Sequence, residues 1–310
     1  MYFPTSGIQV SLWVPPLVAF GISFFMSMGG VSGAFLLLPF QMSFLGFTNP
    51  SVSATNQVYN VVAIPGGVYR YFREGRMVWP LAVAVVLGTL PGVFIGAIVR
   101  IHWLPDARNF KFFAACVLFY IGGRMIWGLL RERLRGSGDG GQPGSDARHA
   151  SKTSGRDEMT GVSDCCFTWQ KTSYVFQGKE YSAPTSLIFA LSFVVGIVGG
   201  TYGIGGGSIM APFFVSMLHL PVHTVAGAAL LGTFVTSVAG VIFYQCLAPM
   251  YPGMSIAPDW MLGILFGLGG LAGTYLGARC QRYVPAGIIK WMLGGVIVFT
   301  ALKYVQDFWG

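Results

Sequence analysis

Charge is what this chain most lacks. Only 10% of its 310 residues are charged, 54% are hydrophobic, and the mean hydropathy is +0.63. Soluble domains carry about 25% charged residues. The shortage argues against a soluble globular protein and for a polytopic membrane protein, because apolar stretches near the ~20 residues that span a bilayer recur along the whole length. Acidic side chains are scarcest. Outside 131–183 they are Glu74, Asp106, Asp259 and Asp307, all at segment ends or in loops. With no carboxylate inside any apolar segment, a carboxylate proton relay and a cation-coordinating acid are not expected. Five cysteines (Cys116, Cys165, Cys166, Cys246, Cys280) show no metal-ligand spacing. His219 and His223 flank Leu220-Pro221-Val222, which reads as a loop rather than a metal-binding helix face. No apolar segment holds a histidine or carboxylate in its interior to pair with Ser32 or Ser208, so no enzyme activity is expected. The run Gly203–Ser208 lacks the strand–turn–helix context and the Walker lysine of nucleotide loops. Neither a cofactor nor a metal is expected. The net charge of +8 does not point to nucleic acid, because the basic residues cluster at the ends of apolar segments, as positive-inside bias requires.

Those segments run 12–45, 51–69, 77–99, 110–130, 184–218, 222–247, 259–280 and 285–305. The N-terminus has no basic n-region and no small-residue cleavage site, so the first segment is read as mature structure. Residues 1–130 and 184–310 form two membrane units around a polar linker at 131–183, which is expected to be a soluble, cytoplasmic appendage. The linker's first half, from Arg135 to Glu158, is rich in Gly, Ser and charge and is expected to be disordered. The second half, 167–182, alternates aromatic and polar residues around Gln177-Gly178, which predicts a β-ribbon.

A glycine-rich turn, an apolar run and a proline occur twice. A shift of 173 residues carries Gly30 onto Gly203, Gly33 onto Gly206, Pro39 onto Pro212 and Phe40 onto Phe213. It also carries Phe20 onto Phe193, Val52 onto Val225 and Gly67 onto Gly240. A further match aligns Gly88, Gly92 and Gly96 with Gly269, Gly273 and Gly277, a small-xxx-small pattern for close helix packing. Segments 12–45 and 184–218 would each be about 50 Å long as one helix, too long for a ~30 Å hydrocarbon core. Reading each as a hairpin broken at its glycine cluster places Arg70, Arg73, Arg76, Arg131, Arg133, Arg135, Arg279, Arg282 and Lys290 inside. Arg100, Arg108 and Lys111 alone fall on the wrong side. The expected fold is therefore all-α and polytopic, with two inverted repeats, each a broken-helix hairpin plus three transmembrane helices.

Broken helices in paired repeats point to a transporter's binding site. The half-helix after each break starts with unpaired amides and the positive end of a dipole, which suits an anion. Donors are expected from Ser32, Gly33 and Ala34 in the first repeat, and from Gly206, Gly207 and Ser208 in the second. The segment after the first hairpin is unusually polar, and Asn56, Gln57 and Asn60 are expected to present amides to the breaks. Its counterpart is mostly apolar and contributes Thr233, so the site should be asymmetric. The competing expectation is that these polar side chains tie down broken backbone.

The paired motifs Gly29–Pro39 and Gly203–Pro212, with the GxxxGxxxG segment in each half, resemble the TauE/SafE family over about residues 15–305. That family's usual Gly-Thr-Ser element stands here as Ala54-Thr55-Asn56. The resemblance implies an inner-membrane exporter of a small sulfur-containing anion such as sulfite or an organosulfonate, working by alternating access. An anion channel and an uptake carrier for another small organic acid are the alternatives. The expected partners are the small anionic substrate and the lipid bilayer, with a homodimer as a further option.

Overall fold

The computed structural model describes residues 1–28, 32–73, 77–135, 162–168, 170–176, 179–218, 220–280, 295 and 297–306. The first glycine turn at 29–31, the linker stretch 136–161, His219 and most of the last apolar segment lie outside these described residues.

Both long segments are broken where the glycines predict. The first forms α1 (Val14–Met28) and α2 (Ala34–Phe44). The second forms α7 (Thr185–Tyr202) and α8 (Gly207–Met217). Gly203 stops α7 with a left-handed φ of 82°, and Gly205 follows with φ 73°. Side-chain-bearing residues rarely adopt that conformation, so the glycines let the chain turn before α8 begins. After α2 the chain returns to the end where α1 started, since the Asn49 amide donates to the carbonyls of Thr5 and Ser6. After α8 it returns to the start of α7, where Tyr174 and Thr224 share a 2.7 Å hydrogen bond.

The segment expected as one straight crossing at 51–69 is two helices, α3 (Ser51–Ala63) and α4 (Pro65–Arg73). Pro65 has no N–H and its ring crowds the preceding turn, which breaks the helix there. The direction is kept. Val62 lies against Gly267 and Gly66 against Leu271 on the same neighbouring helix. The 13 residues of α3 reach roughly 20 Å, so α4 completes the length of a crossing. The other long helices are α5 (Trp79–His102), α6 (Ala107–Arg135), α9 (Val222–Leu247) and α10 (Trp260–Cys280). Residues 297–306 are also helical. By length and hydropathy α5, α7, α9 and α10 each contain a membrane-spanning stretch, and the chain is an all-α polytopic membrane protein.

The glycine stripes explain how the halves are joined. A side chain at Gly92 or Gly96 would collide with the carbonyl oxygens of Phe193 and Ile197 on α7. One at Gly273 or Gly277 would collide with those of Phe20 and Phe24 on α1. The shift of 173 carries Phe20 to Phe193 and Phe24 to Ile197, so the same backbone-to-backbone contact is made twice with the halves exchanged. In the same way Gly67 faces Leu230, and Gly240 faces Gln57. Because Tyr71 also lies against Gly227, the α3–α4 unit and its counterpart α9 pack antiparallel.

Two small sheets sit at opposite ends. At one end β1 (Tyr2–Phe3) and β2 (Ile8–Gln9) form a hairpin the sequence did not foretell. Its Ser6 N–H donates to Asp259, whose other oxygen takes the Leu262 amide and caps α10. At the other end β3 (Val162–Phe167), β4 (Lys171–Phe176) and β5 (Lys179–Pro184) form an antiparallel sheet. β4 and β5 pair antiparallel, with Phe176 opposite Lys179, where the ribbon was expected, and β3 adds a strand. Thr172, Tyr174 and Phe176 on one face of β4 are buried, so the sheet is docked on the helical bundle. Alternation of period two identified the strand but could not show what its inner face would meet.

Candidate functional site

From Ser51 to Asn60 every residue of α3 is buried, although the stretch carries seven side chains that need hydrogen bonds in an apolar setting: Ser51, Ser53, Thr55, Asn56, Gln57, Tyr59 and Asn60. Most find those bonds on the broken helices. Asn56 donates its Nδ2 to the carbonyl of Ala34 at the start of α2 (3.2 Å) and to that of Gly203 at the end of α7 (3.0 Å). One turn further, Asn60 Nδ2 donates to the Ile204 carbonyl (3.0 Å) and to Ser237 Oγ (3.3 Å). Its Oδ1 accepts from the Ser32 hydroxyl at 3.3 Å. One turn earlier, Ser53 Oγ donates to the Thr201 carbonyl at 3.1 Å. The i, i+3, i+7 spacing puts all three on one face of α3, and that face joins both breaks.

Around this seam the other expected residues divide. Ser32 is half-buried and accepts the Ala34 amide through its hydroxyl at 3.3 Å. Gly33 is buried; a Cβ there would come within 2.5 Å of the Tyr59 hydroxyl and 2.7 Å of Ser23 Oγ. Those two hydroxyls bond each other at 2.7 Å. In the second break the Gly206 amide donates to Thr236 Oγ1 at 3.3 Å. A Cβ on Gly206 would meet the Thr89 side chain, and one on Gly207 would run into the Ala229 carbonyl. Glycine at these two positions therefore allows α8 to lie against α5 and α9. Thr233 Oγ1 donates to Ala229 within α9, and the residue packs against Gly205 and Gly207. Ser208 lies in the first turn of α8. Gln57 faces Gly240 on α9 rather than either break, and neither atom of its buried side-chain amide has a hydrogen-bond partner.

The structure thus brings Ser32, Ala34, Asn56 and Asn60 together with the second break, sets Thr233 behind Gly207, and turns Gln57 aside. It adds Gly203, Ile204, Thr236, Ser237 and Tyr202, whose hydroxyl donates to the Phe35 carbonyl at 3.1 Å. Thr236 and Ser237 were visible as polar residues in an apolar run. The carbonyls of Gly203 and Ile204 carried no sequence signal, because a main-chain acceptor is present at every residue.

No carboxylate touches the site among the described residues. The N-termini of α2 and α8 start beside it and add the positive ends of their dipoles, and Arg100 donates its Nε to Ser53 Oγ at one edge. The Asn donors are used on carbonyls, while Asn56 Oδ1 and the Gln57 amide are unpaired. A separate apolar cavity of about 250 Å³ between α6, α7 and α8, lined by residues such as Phe113, Tyr120 and Phe213, does not include the seam.

Helices interrupted inside an apolar bundle, with a buried polar seam between the interruptions, define the class: a polytopic membrane protein with a discontinuous-helix core. The family described as "Sulfite exporter TauE/SafE" matches residues 16–304, and the chain belongs to that family. It is 24% identical over 297 residues to a probable membrane transporter protein of Xylella fastidiosa (strain 9a5c), covering 93% of this chain and 92% of that one. Two Bacillus subtilis (strain 168) proteins, the probable membrane transporter proteins YdhB and YunE, are 26% identical over 116 residues and 25% over 127. These matches cover 37% and 41% of this chain and 44% of each relative. No solved structure matches.

Proposed function

We propose that the chain is a membrane transporter exporting a small sulfur-containing anion, such as sulfite or an organosulfonate, by alternating access. The anion is held between the N-terminal turns of α2 and α8. The observation that carries this reading is the double engagement of Asn56, which bonds Ala34 on one break and Gly203 on the other. Separating the breaks must release those bonds, and an anion entering between them would accept the freed amide hydrogens together with those of Asn60 and the Ser32 hydroxyl. Family membership and the relatives' printed names support the transporter class.

In this reading the halves are inverted repeats that rock against each other. The antiparallel pairing of α3–α4 with α9 and the exchanged contacts of α1 and α7 favour it. The protein sits in the inner membrane with the linker sheet on the cytoplasmic side and the β1–β2 end outside, which agrees with Arg73 and the basic end of α6 lying toward the sheet side.

The test is labelled sulfite flux in proteoliposomes, with thiosulfate, sulfate and sulfonates as competitors. A Ser32→Ala, Asn56→Ala double variant that folds should lose saturable counterflow. Full activity in that variant overturns the site.

A further inference from the structure

Arg100 is fully buried near the C-terminal end of α5, at 0% exposure. It was one of three cations on the wrong side of the positive-inside count, and burial explains why: it is not a loop cation facing a membrane surface. Its guanidinium stacks over the Phe110 ring, 3.8 Å from the centroid. Nε donates to Ser53 Oγ at 3.4 Å, and Nη1 donates to the Leu104 carbonyl. Nη2 is buried with no hydrogen-bond partner. Beside it, Tyr244 of α9 is also 0% exposed, and its hydroxyl is likewise unpaired. Tyr244 packs in one buried cluster with Ala97 and Ile101, the residues that flank Arg100 on the same stretch of α5. Among the described residues no carboxylate pairs with this cation.

The Leu104 carbonyl, just past the end of α5, accounts for Nη1. It does not account for a buried positive charge with no counter-charge, or for two unpaired donors in one buried cluster. A buried ion without a partner is costly by several kcal/mol, and an unmade hydrogen bond adds to that cost. A small oxyanion removes both penalties at once: its charge balances the guanidinium, and its oxygens accept from Nη2 and from the Tyr244 hydroxyl. Ser53 connects this place to the seam, being bonded to Arg100 on one side and to Thr201 beside the second break on the other.

We propose that Arg100 and Tyr244 form a second anion subsite for a small oxyanion of the sulfite or sulfate type. It lies at the β1–β2 end of α3, one station before the Asn56–Asn60 seam. The proposal rests on the anion-transport reading above and gives that path its second binding position.

Calorimetric titration of sulfite and of sulfate into the full chain in lipid nanodiscs tests it, in wild type, Arg100→Gln, Tyr244→Phe and Asn60→Ala. Tyr244→Phe removes one unpartnered hydroxyl and should fold normally. The expected result is two anions per wild-type chain, one lost in Arg100→Gln and weakened roughly tenfold in Tyr244→Phe. Sulfate should also raise the melting temperature of wild type more than that of Tyr244→Phe. Identical titrations in wild type and Tyr244→Phe, or no oxyanion bound by wild type, overturn the subsite. A single anion lost in Asn60→Ala alone overturns the subsite and keeps the seam. A single anion lost in Arg100→Gln and weakened in Tyr244→Phe, but untouched in Asn60→Ala, upholds the subsite and overturns the seam.

Discussion

Asn60 donates its side-chain amide to the carbonyl of Ile204 at 3.0 Å, across 144 residues of sequence. The same side chain accepts from Ser32 at the other break, so one residue reads the state of both. Asn60→Ala removes both links, at about 0.5–1.5 kcal/mol for each hydrogen bond lost. The melting temperature should fall by several degrees, and sulfite counterflow in proteoliposomes should fall at least tenfold. Asn60→Asp keeps the shape but adds negative charge where an anion must sit. Facing the Ile204 carbonyl with no hydrogen to donate, it should melt no higher than Asn60→Ala and transport no better; transport at the wild-type rate would count against an anion at the seam.

The exchanged glycine contacts make a paired prediction. Gly92→Val drives a side chain into the Phe193 carbonyl, and Gly273→Val into the Phe20 carbonyl. Main-chain atoms of a packed helix cannot rotate away, so overpacking should cost roughly 1–3 kcal/mol or more in each case. The two variants should lose stability by similar amounts in thermal unfolding, because the contacts are the same contact in two copies. Gly253→Ala is the control: nothing lies within 4 Å of its added Cβ, and it should melt like wild type.

How much of this was legible beforehand follows from the kind of signal each feature leaves. The breaks at 29–33 and 203–206 could be placed because glycine clusters in an apolar run are rare and were duplicated. The polarity of Asn56 and Asn60 was visible for the same reason, as expensive residues in the wrong solvent. Their partners were not visible, because Ala34, Gly203 and Ile204 take part through carbonyls that every residue has. The Pro65 break was readable in principle, since proline inside a crossing weakens it, but continuity of hydropathy through 51–69 masked it. Docking of the β-sheet depended on Thr224, a residue remote in sequence with no periodic pattern of its own.

That docked sheet carries the third prediction. Tyr174 is 1% exposed and its hydroxyl bonds Thr224 on α9. Tyr174→Phe removes one hydrogen bond, about 1 kcal/mol, and should leave the sheet in place. Tyr174→Ala also removes the buried ring, about 3–5 kcal/mol by analogy with large-to-small core changes. Proteolysis within 162–184 should be accelerated in Tyr174→Ala and barely altered in Tyr174→Phe. Equal cleavage in wild type and Tyr174→Ala would show that the sheet is not held by this contact.

Sidedness follows from which segments meet. The β1–β2 hairpin, Asn49 and Ser255 gather at one end, while the linker sheet and the start of α9 gather at the other. Met250 is 70% exposed and lies at the first end. In a background with the native cysteines replaced, Met250→Cys should react with a membrane-impermeant maleimide in intact cells. Lys179→Cys, on the exposed edge of β5, should react only after permeabilisation. Labelling of both from outside would overturn the placement of these two ends on opposite sides of the membrane.

The scarcity of carboxylates leads to the last prediction. Asp259, buried at 4% exposure, is used on the Ser6 and Leu262 amides, and none of the described membrane helices places an acidic side chain at the seam. An anion leaving a negative-inside cell gains about 2.3 kcal/mol per charge per 100 mV, which sets an outward ratio of about 50-fold for a monovalent anion at that voltage. Export driven this way requires no protonatable group along the path. In proteoliposomes with a potassium–valinomycin clamp, sulfite flux should reverse when the potential is reversed, and it should persist when the proton gradient is collapsed. Flux that ignores voltage and vanishes with the proton gradient would require a titratable coupling residue. The seam of Ser32, Asn56 and Asn60 holds none, so coupling would then have to be assigned elsewhere in the chain.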